Sequence, residues 1–180
     1  MAEVQGDPLA GPAGVMWHPL ADPQPLIGGL GRATPTRLQV PLSTPFRGGE
    51  GIAWHGGHVY FTTKGDDTVW RYQPGGAGSG VLSVLYRRDP AQAEDILSGV
   101  DNLTVASGGE VLVAEDGGDM QVVVLDAAGR AAPLLQVVGQ DQSEIAGIAF
   151  SPDGSRLYFS SQRGPTGKGP FGLTYEIRVA

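Results

Sequence analysis

Three carboxylates fall within five residues in the stretch Glu115-Asp116-Gly117-Gly118-Asp119, between apolar runs at residues 111–113 and 122–125. Glycines at 117 and 118 let the backbone take positive φ, so the acidic groups can turn toward one point. Such a segment is either a solvated turn or part of a cation site, because hard cations such as calcium collect several oxygen ligands. Glu50, Asp101 with its neighbour Asn102, and Glu144 add further oxygen donors, each at or just before a segment that reads as a strand. Carboxylates brought to one axis repel strongly unless something cationic sits between them. A fold that gathers these groups would therefore favour a metal site.

Other chemistries have less to work with. The chain has no cysteine, so it has neither a disulfide framework nor a thiolate metal site. His18, His55 and His58 lack the helical spacing of a zinc motif and read as turn or surface residues. Ser107, Ser160 and Ser161 have no patterned histidine partner and read as strand and turn residues.

The elements that must position the carboxylates are short strands. Residues 101–126 read as three consecutive antiparallel strands, with alternation at Leu103 and Val105, a turn at Ser107-Gly108-Gly109 and two valine-rich runs. From Phe46 onward the same texture recurs in three sets. The first is GGEGIAW, VYFTTK, TVWRYQ and VLSVLYRR; the second is DNLTVA, EVLVAED, MQVVVLD and APLLQVV. The third begins at EIAGIAFS, turns at Pro152-Asp153-Gly154, and continues through RLYFSSQ to LTYEIRV.

Register ties the sets together. Gly51-Ile52-Ala53 recurs 96 positions later as Gly147-Ile148-Ala149, two periods of 48, with Asn102-Leu103-Thr104 between them. Tyr60-Phe61 likewise matches Tyr158-Phe159, with Leu112-Val113 between. A period in the forties with four strands per repeat predicts an all-β fold, a β-propeller with about three four-stranded blades. A β-sandwich competes but does not require such a repeat. In a propeller the first strand of each blade lines the central channel, which would place Glu50, Asp101 and Glu144 there, with Glu115 at the end of a second strand.

Residues 1–45 form a different region, read as an extended, proline-rich N-terminal segment ahead of the partial propeller at residues 46–180. Its eight prolines each remove a backbone donor and exclude helix interiors. Residues 36–40 could form an edge strand. Over the whole chain, 29 glycines and 14 prolines among 180 residues are spread along the sequence and not concentrated in one tract, which suits many strands joined by turns. A net charge of -7 argues against nucleic-acid partners, which are held by Lys and Arg. No apolar run has membrane length, and residues 1–20 carry no signal h-region, so no membrane partner is expected and localisation stays open.

Taken together, GGEGIAW, VYFTTKGDDTVWRY, GVDNLTV, VAEDGG and EIAGIAFSPDGSRLYFSSQRG resemble the carboxy-terminal half of the PhoX family of bacterial alkaline phosphatases, over roughly residues 34–176. The order and spacing of all five motifs carry the likeness. It implies a six-bladed ring, of which this chain would supply about half. The remaining blades would come from elsewhere in a longer product or from a second copy. It further implies hydrolysis of small phosphomonoesters at a calcium and iron cluster, and periplasmic or secreted members exported by a twin-arginine signal. Iron in the family is bound partly through a cysteine, which this chain lacks, so calcium is the expected cofactor. By resemblance, Glu50 and Glu115 hold the metal, and Asp101, Asn102 and Glu144 line the same pocket.

In that chemistry clustered calcium would bind phosphate oxygens and acidify water. Arg163 would neutralise a phosphate oxygen as the catalytic cation, its alternative role being a surface salt bridge. Two other readings stand beside it: a calcium-dependent lactonase or phosphotriesterase using a propeller channel, and a non-catalytic propeller fragment or binding scaffold.

Overall fold

The computed structural model describes residues 1–26, 33–92 and 96–178, and the expected end of the last strand at Val179 lies outside them. The described residues form three antiparallel sheets. The first contains β1 (Ala2–Gln5), β2 (Ala13–Trp17), β3 (Gly49–His55), β4 (His58–Thr63), β5 (Thr68–Pro74) and β6 (Ser79–Arg87), in the order β1-β2-β6-β5-β4-β3. The second is a meander of β7 (Val100–Val105), β8 (Val111–Glu115), β9 (Gln121–Leu125) and β10 (Ala131–Gln136). The third is β11 (Ile145–Phe150), β12 (Arg156–Ser161) and β13 (Leu173–Arg178). Among these residues no helix is long and apolar enough to cross a membrane.

The strands expected from Phe46 onward are present in order, and the sheets follow the three sets. Two expectations for the N-terminal region are corrected. Residues 1–45 are not all extended loop: β1 and β2 form a hairpin that lengthens the first sheet by pairing β2 with β6. The prolines permit this because Pro8 and Pro12 fall in the connection, leaving AEVQ and AGVMW with their backbone donors. Residues 36–40 are not an edge strand. Thr36–Leu38 is a single 3-10 turn closed by Leu38 N–H donating to the Pro35 carbonyl at 2.8 Å. The blade pattern of four strands applies to the second sheet; the first carries six and the third, among described residues, three.

Period-two alternation explains the packing. Every residue of β8 is buried, because its two faces serve two different cores. Val111 and Val113 join Tyr60, Val69, Val100 and Leu103 between the first and second sheets. Leu112 and Ala114 join Ile145, Ile148, Leu157 and Phe159 between the second and third. A third cluster, Val15, Trp70, Tyr72 and Leu82 with Phe46 and Phe61 against it, covers the other face of the first sheet.

The leading strands β3, β7 and β11 converge, and each carries the same irregularity. Pairing slips between Gly49 and Ile52, between Val100 and Leu103, and between Ala146 and Ala149. These bulges free backbone groups that stitch one sheet to the next. Gly51 N–H donates to Thr62 Oγ1 at 2.8 Å, and the Thr62 hydroxyl donates in turn to the Asp101 carbonyl at 2.5 Å. Ile148 N–H donates to Asn102 Oδ1 at 2.9 Å. Gly51 is required by proximity: a Cβ there would stand 2.5 Å from the Leu103 nitrogen.

Thr62 is fully buried, so Thr62→Val strands the Gly51 N–H and the Asp101 carbonyl without changing side-chain size. Chemical denaturation should show a loss of about 1–3 kcal/mol. An unchanged midpoint would mean that water replaces the hydroxyl.

Candidate functional site

Strands β4, β8 and β12, one in each sheet, end in the same way. Lys64 N–H donates to the Gly48 carbonyl, Asp116 N–H to Gly99 and Gln162 N–H to Glu144, at 2.8, 2.9 and 2.9 Å. This repeated closure places Lys64, Asp116 and Gln162 in equivalent positions on three adjacent sheets, with Arg163 one residue further. It also sets Glu144, the acceptor in the third sheet, near Asp116 in the second.

Asp101, Asp116 and Glu144 thereby each present a carboxylate oxygen within 4.8 Å of the others. Two cations of the chain interleave with them. The Lys64 ammonium is hydrogen-bonded to Asp116 and stands 3.5 Å from Asp101. The Arg163 guanidinium reaches Asp116 at 3.0 Å and Glu144 at 2.9 Å, and its Nε–H donates to the Gln142 carbonyl at 3.0 Å. Burial pushes the Asp116 carboxyl up, but its hydrogen bonds from Lys64 and Arg163 outweigh that and hold it below the usual carboxylate range. Glu144 is pushed up by burial and by the adjacent Asp116, against the pull of Arg163. The Lys64 ammonium is raised chiefly by its bond to Asp116.

Of the residues expected to bind metal, the structure brings Asp101 and Glu144 together and adds Asp116. Asn102 lies beside them, but its side-chain oxygen is used on Ile148. Glu50 is exposed at the bulge of β3 and lies outside the cluster. Glu115 is likewise not among the three clustered carboxylates. Only 1% exposed, it accepts backbone N–H bonds from Ser98 at 2.9 Å and Gln121 at 3.0 Å, one to each oxygen. Its carboxyl is pushed up by burial, which those two bonds partly offset. The residue pins the segment entering β7 to the segment entering β9, and so fixes the turn that presents Asp116. Arg163 is in the cluster as an ion-pair partner.

Lys64 went unassigned in the sequence, and Asp116 was read only as one of three carboxylates in a possible cation segment, although register contained the signal. Each lies three residues beyond the matched pairs Tyr60-Phe61 and Leu112-Val113. Attention to acidic residues alone passes over the lysine.

The donor set fits a hard cation: it is all carboxylate oxygen, closely spaced and partly buried. It offers no thiolate or imidazole to a softer metal.

Glu115→Gln tests the positioning role. The amide must turn an N–H toward one of two backbone donors, which should cost about 1–3 kcal/mol in chelator as well as in calcium. A variant as stable as the parent in chelator would return Glu115 to the ligand set.

No curated protein matches the chain significantly. Among solved structures, the chain is similar to a luciferin-regenerating enzyme, with a TM-score of 0.51 and 17% identity over 98% of this chain and 60% of that one. The chain therefore spans well under two thirds of that protein's length, and the likeness concerns fold alone. Residues 14–164 match the family described as alkaline phosphatase PhoX. That match takes in the strands from β2 to β12 together with Lys64, Asp101, Asp116, Glu144 and Arg163, and the chain belongs to the alkaline phosphatase PhoX family.

Proposed function

We propose that this chain supplies the metal-binding part of a calcium-dependent phosphomonoesterase built on a six-bladed propeller. The observation that carries the reading is the Asp101, Asp116 and Glu144 cluster, with Lys64 and Arg163 against it, inside the segment that matches the phosphatase family. Asp101, Asp116 and Glu144 would hold the ion. Glu50 occupies in β3 the bulge position that Asp101 occupies in β7, which supports it as a further ligand.

Calcium, when bound, supplies positive charge against the phosphoryl oxygens and acidifies water. The chain's own residues do the rest. Arg163 offers a planar fork of donors that matches two phosphate oxygens, and Lys64 offers a compact charge beside it. Both would act as electrostatic partners for the charge that develops as the ester bond breaks. Glu115 keeps the Asp116 turn in place, and neither glutamate at 50 or 115 serves as nucleophile.

Ring closure belongs to the same proposal. The outer face of the first sheet bears an apolar groove of about 380 Å³ lined by Val15, Trp17, Val59, Phe61, Tyr72 and Leu82 among others. Further blades, from a longer product or a second copy, would cover it.

Release of phosphate from p-nitrophenyl phosphate should require calcium and stop with chelator. Asp116→Asn should lower kcat/KM by about 100-fold, with Glu50→Gln also slower than the parent. A lactone assayed in parallel should turn over more slowly. Hydrolysis indifferent to chelator and to Asp116→Asn, or faster turnover of the lactone, would overturn the assignment.

A further inference from the structure

We infer that Lys64 and Arg163 are built-in counter-ions of the carboxylate cluster, which a divalent cation displaces and thereby frees to bind the phosphate group of the substrate. The inference rests on the metal-binding half of the proposed function, not on turnover.

Position supports it. Side-chain exposure is 35% for Lys64 and 31% for Arg163, against 16% for Asp101, 19% for Asp116 and 16% for Glu144. The acids form the floor and the bases lie over them on the solvent side. A cation arriving at the floor must replace the contacts the bases now make, and the bases are the more exposed partners of each pair. Lys64 joins Asp101 to Asp116, and Arg163 joins Asp116 to Glu144, so every member of the trio has a basic partner, while two positive charges against three carboxylates leave one negative charge uncompensated.

Charge supports it as well. Without the two bases, three carboxylates within 4.8 Å would repel. With a divalent cation among the carboxylates, the bases lose most of their attraction to the floor and repel the ion instead. An anion then becomes their natural partner. The trio and its two bases thus carry two alternative sets of pairings: acids with bases, or acids with metal and bases with phosphate. Binding linkage requires that calcium tighten phosphate and that phosphate tighten calcium by the same factor.

Calorimetry with calcium chloride and, separately, with inorganic phosphate tests this on the parent, Lys64→Met, Arg163→Gln and the double variant. Removing a competing base should tighten calcium by roughly five- to tenfold per substitution. In the parent, phosphate should bind measurably only with calcium present. In the variants that calcium-dependent phosphate binding should be weakened or lost. Lys64→Arg, which keeps the charge, should behave like the parent. Because Arg163 also holds the Gln142 carbonyl and its loss could disturb the fold, Lys64→Met alone decides the matter if Arg163→Gln is unfolded by circular dichroism. Calcium affinity unchanged by Lys64→Met, phosphate binding indifferent to calcium, or no calcium binding by any of the proteins would overturn the inference. Calcium-linked phosphate binding without ester hydrolysis would leave it standing while removing the catalytic reading.

Discussion

Electrostatic balance at the junction of the three sheets constrains much of this molecule. Asp101 lies in β7, Asp116 just after β8 and Glu144 just before β11, and the fold brings their oxygens within 4.8 Å of one another. Three ionised carboxylates at that spacing, partly shielded from water, are unfavourable by several kcal/mol in total unless cations intervene. Lys64 and Arg163 intervene, and the opposed directions for Asp116 and Glu144 follow. Asp116 receives both cations and is held low, whereas Glu144 receives one, faces Asp116 and is pushed up.

The repeat makes that junction possible. Bulges in β3, β7 and β11 break the ladder at matching points, and the released groups are used between sheets: Gly51 through Thr62 to Asp101, and Asn102 to Ile148. Residues that look like ligands in a list of oxygen donors are therefore partly spent on holding the leading strands together. The equivalent last residues of β4, β8 and β12 are Thr63, Glu115 and Ser161. All three are buried and hydrogen-bonded to the adjoining turns. Glu115 is thus a charged version of a position that the neighbouring sheets fill with hydroxyls, which explains why its carboxylate faces backbone donors.

The strands from Phe46 onward were legible because alternation and a recurring Gly-Ile-Ala phrase both act over short distances in sequence. Strands β1 and β2 were hidden by the prolines around them, since strands of four and five residues carry little periodicity, and the pairing of β2 with β6 is a long-range event. For the site, carboxylate type was legible but direction was not. Glu115 and Asp116 are adjacent in β8 and its turn, so a one-residue alternation sends one into the core and the other to the cluster. The need for a cation among the acids could be argued from charge alone. That the chain supplies two of its own could not, because Lys64 and Arg163 lie 52 and 47 residues from the aspartate they share.

Those separations mean that the cluster is also a clamp. Lys64 leaves the end of the first sheet, Asp116 the second and Arg163 the third, so the Lys64–Asp116 and Arg163–Asp116 pairs each cross a boundary between sheets. The apolar cores at the two boundaries supply the bulk of the attraction, and the ion pairs add polar links between the strand ends. A site assembled in this way cannot be altered without consequence for the junction. Exchanging the protein's cations for a metal would keep the three carboxylates gathered while releasing the outer bases. That requires the apolar cores and the Thr62 and Asn102 bonds to hold the sheets in place by themselves. The cores contain none of the cluster's charged groups, and that separation is what would let binding chemistry change at the cluster without the sheets coming apart.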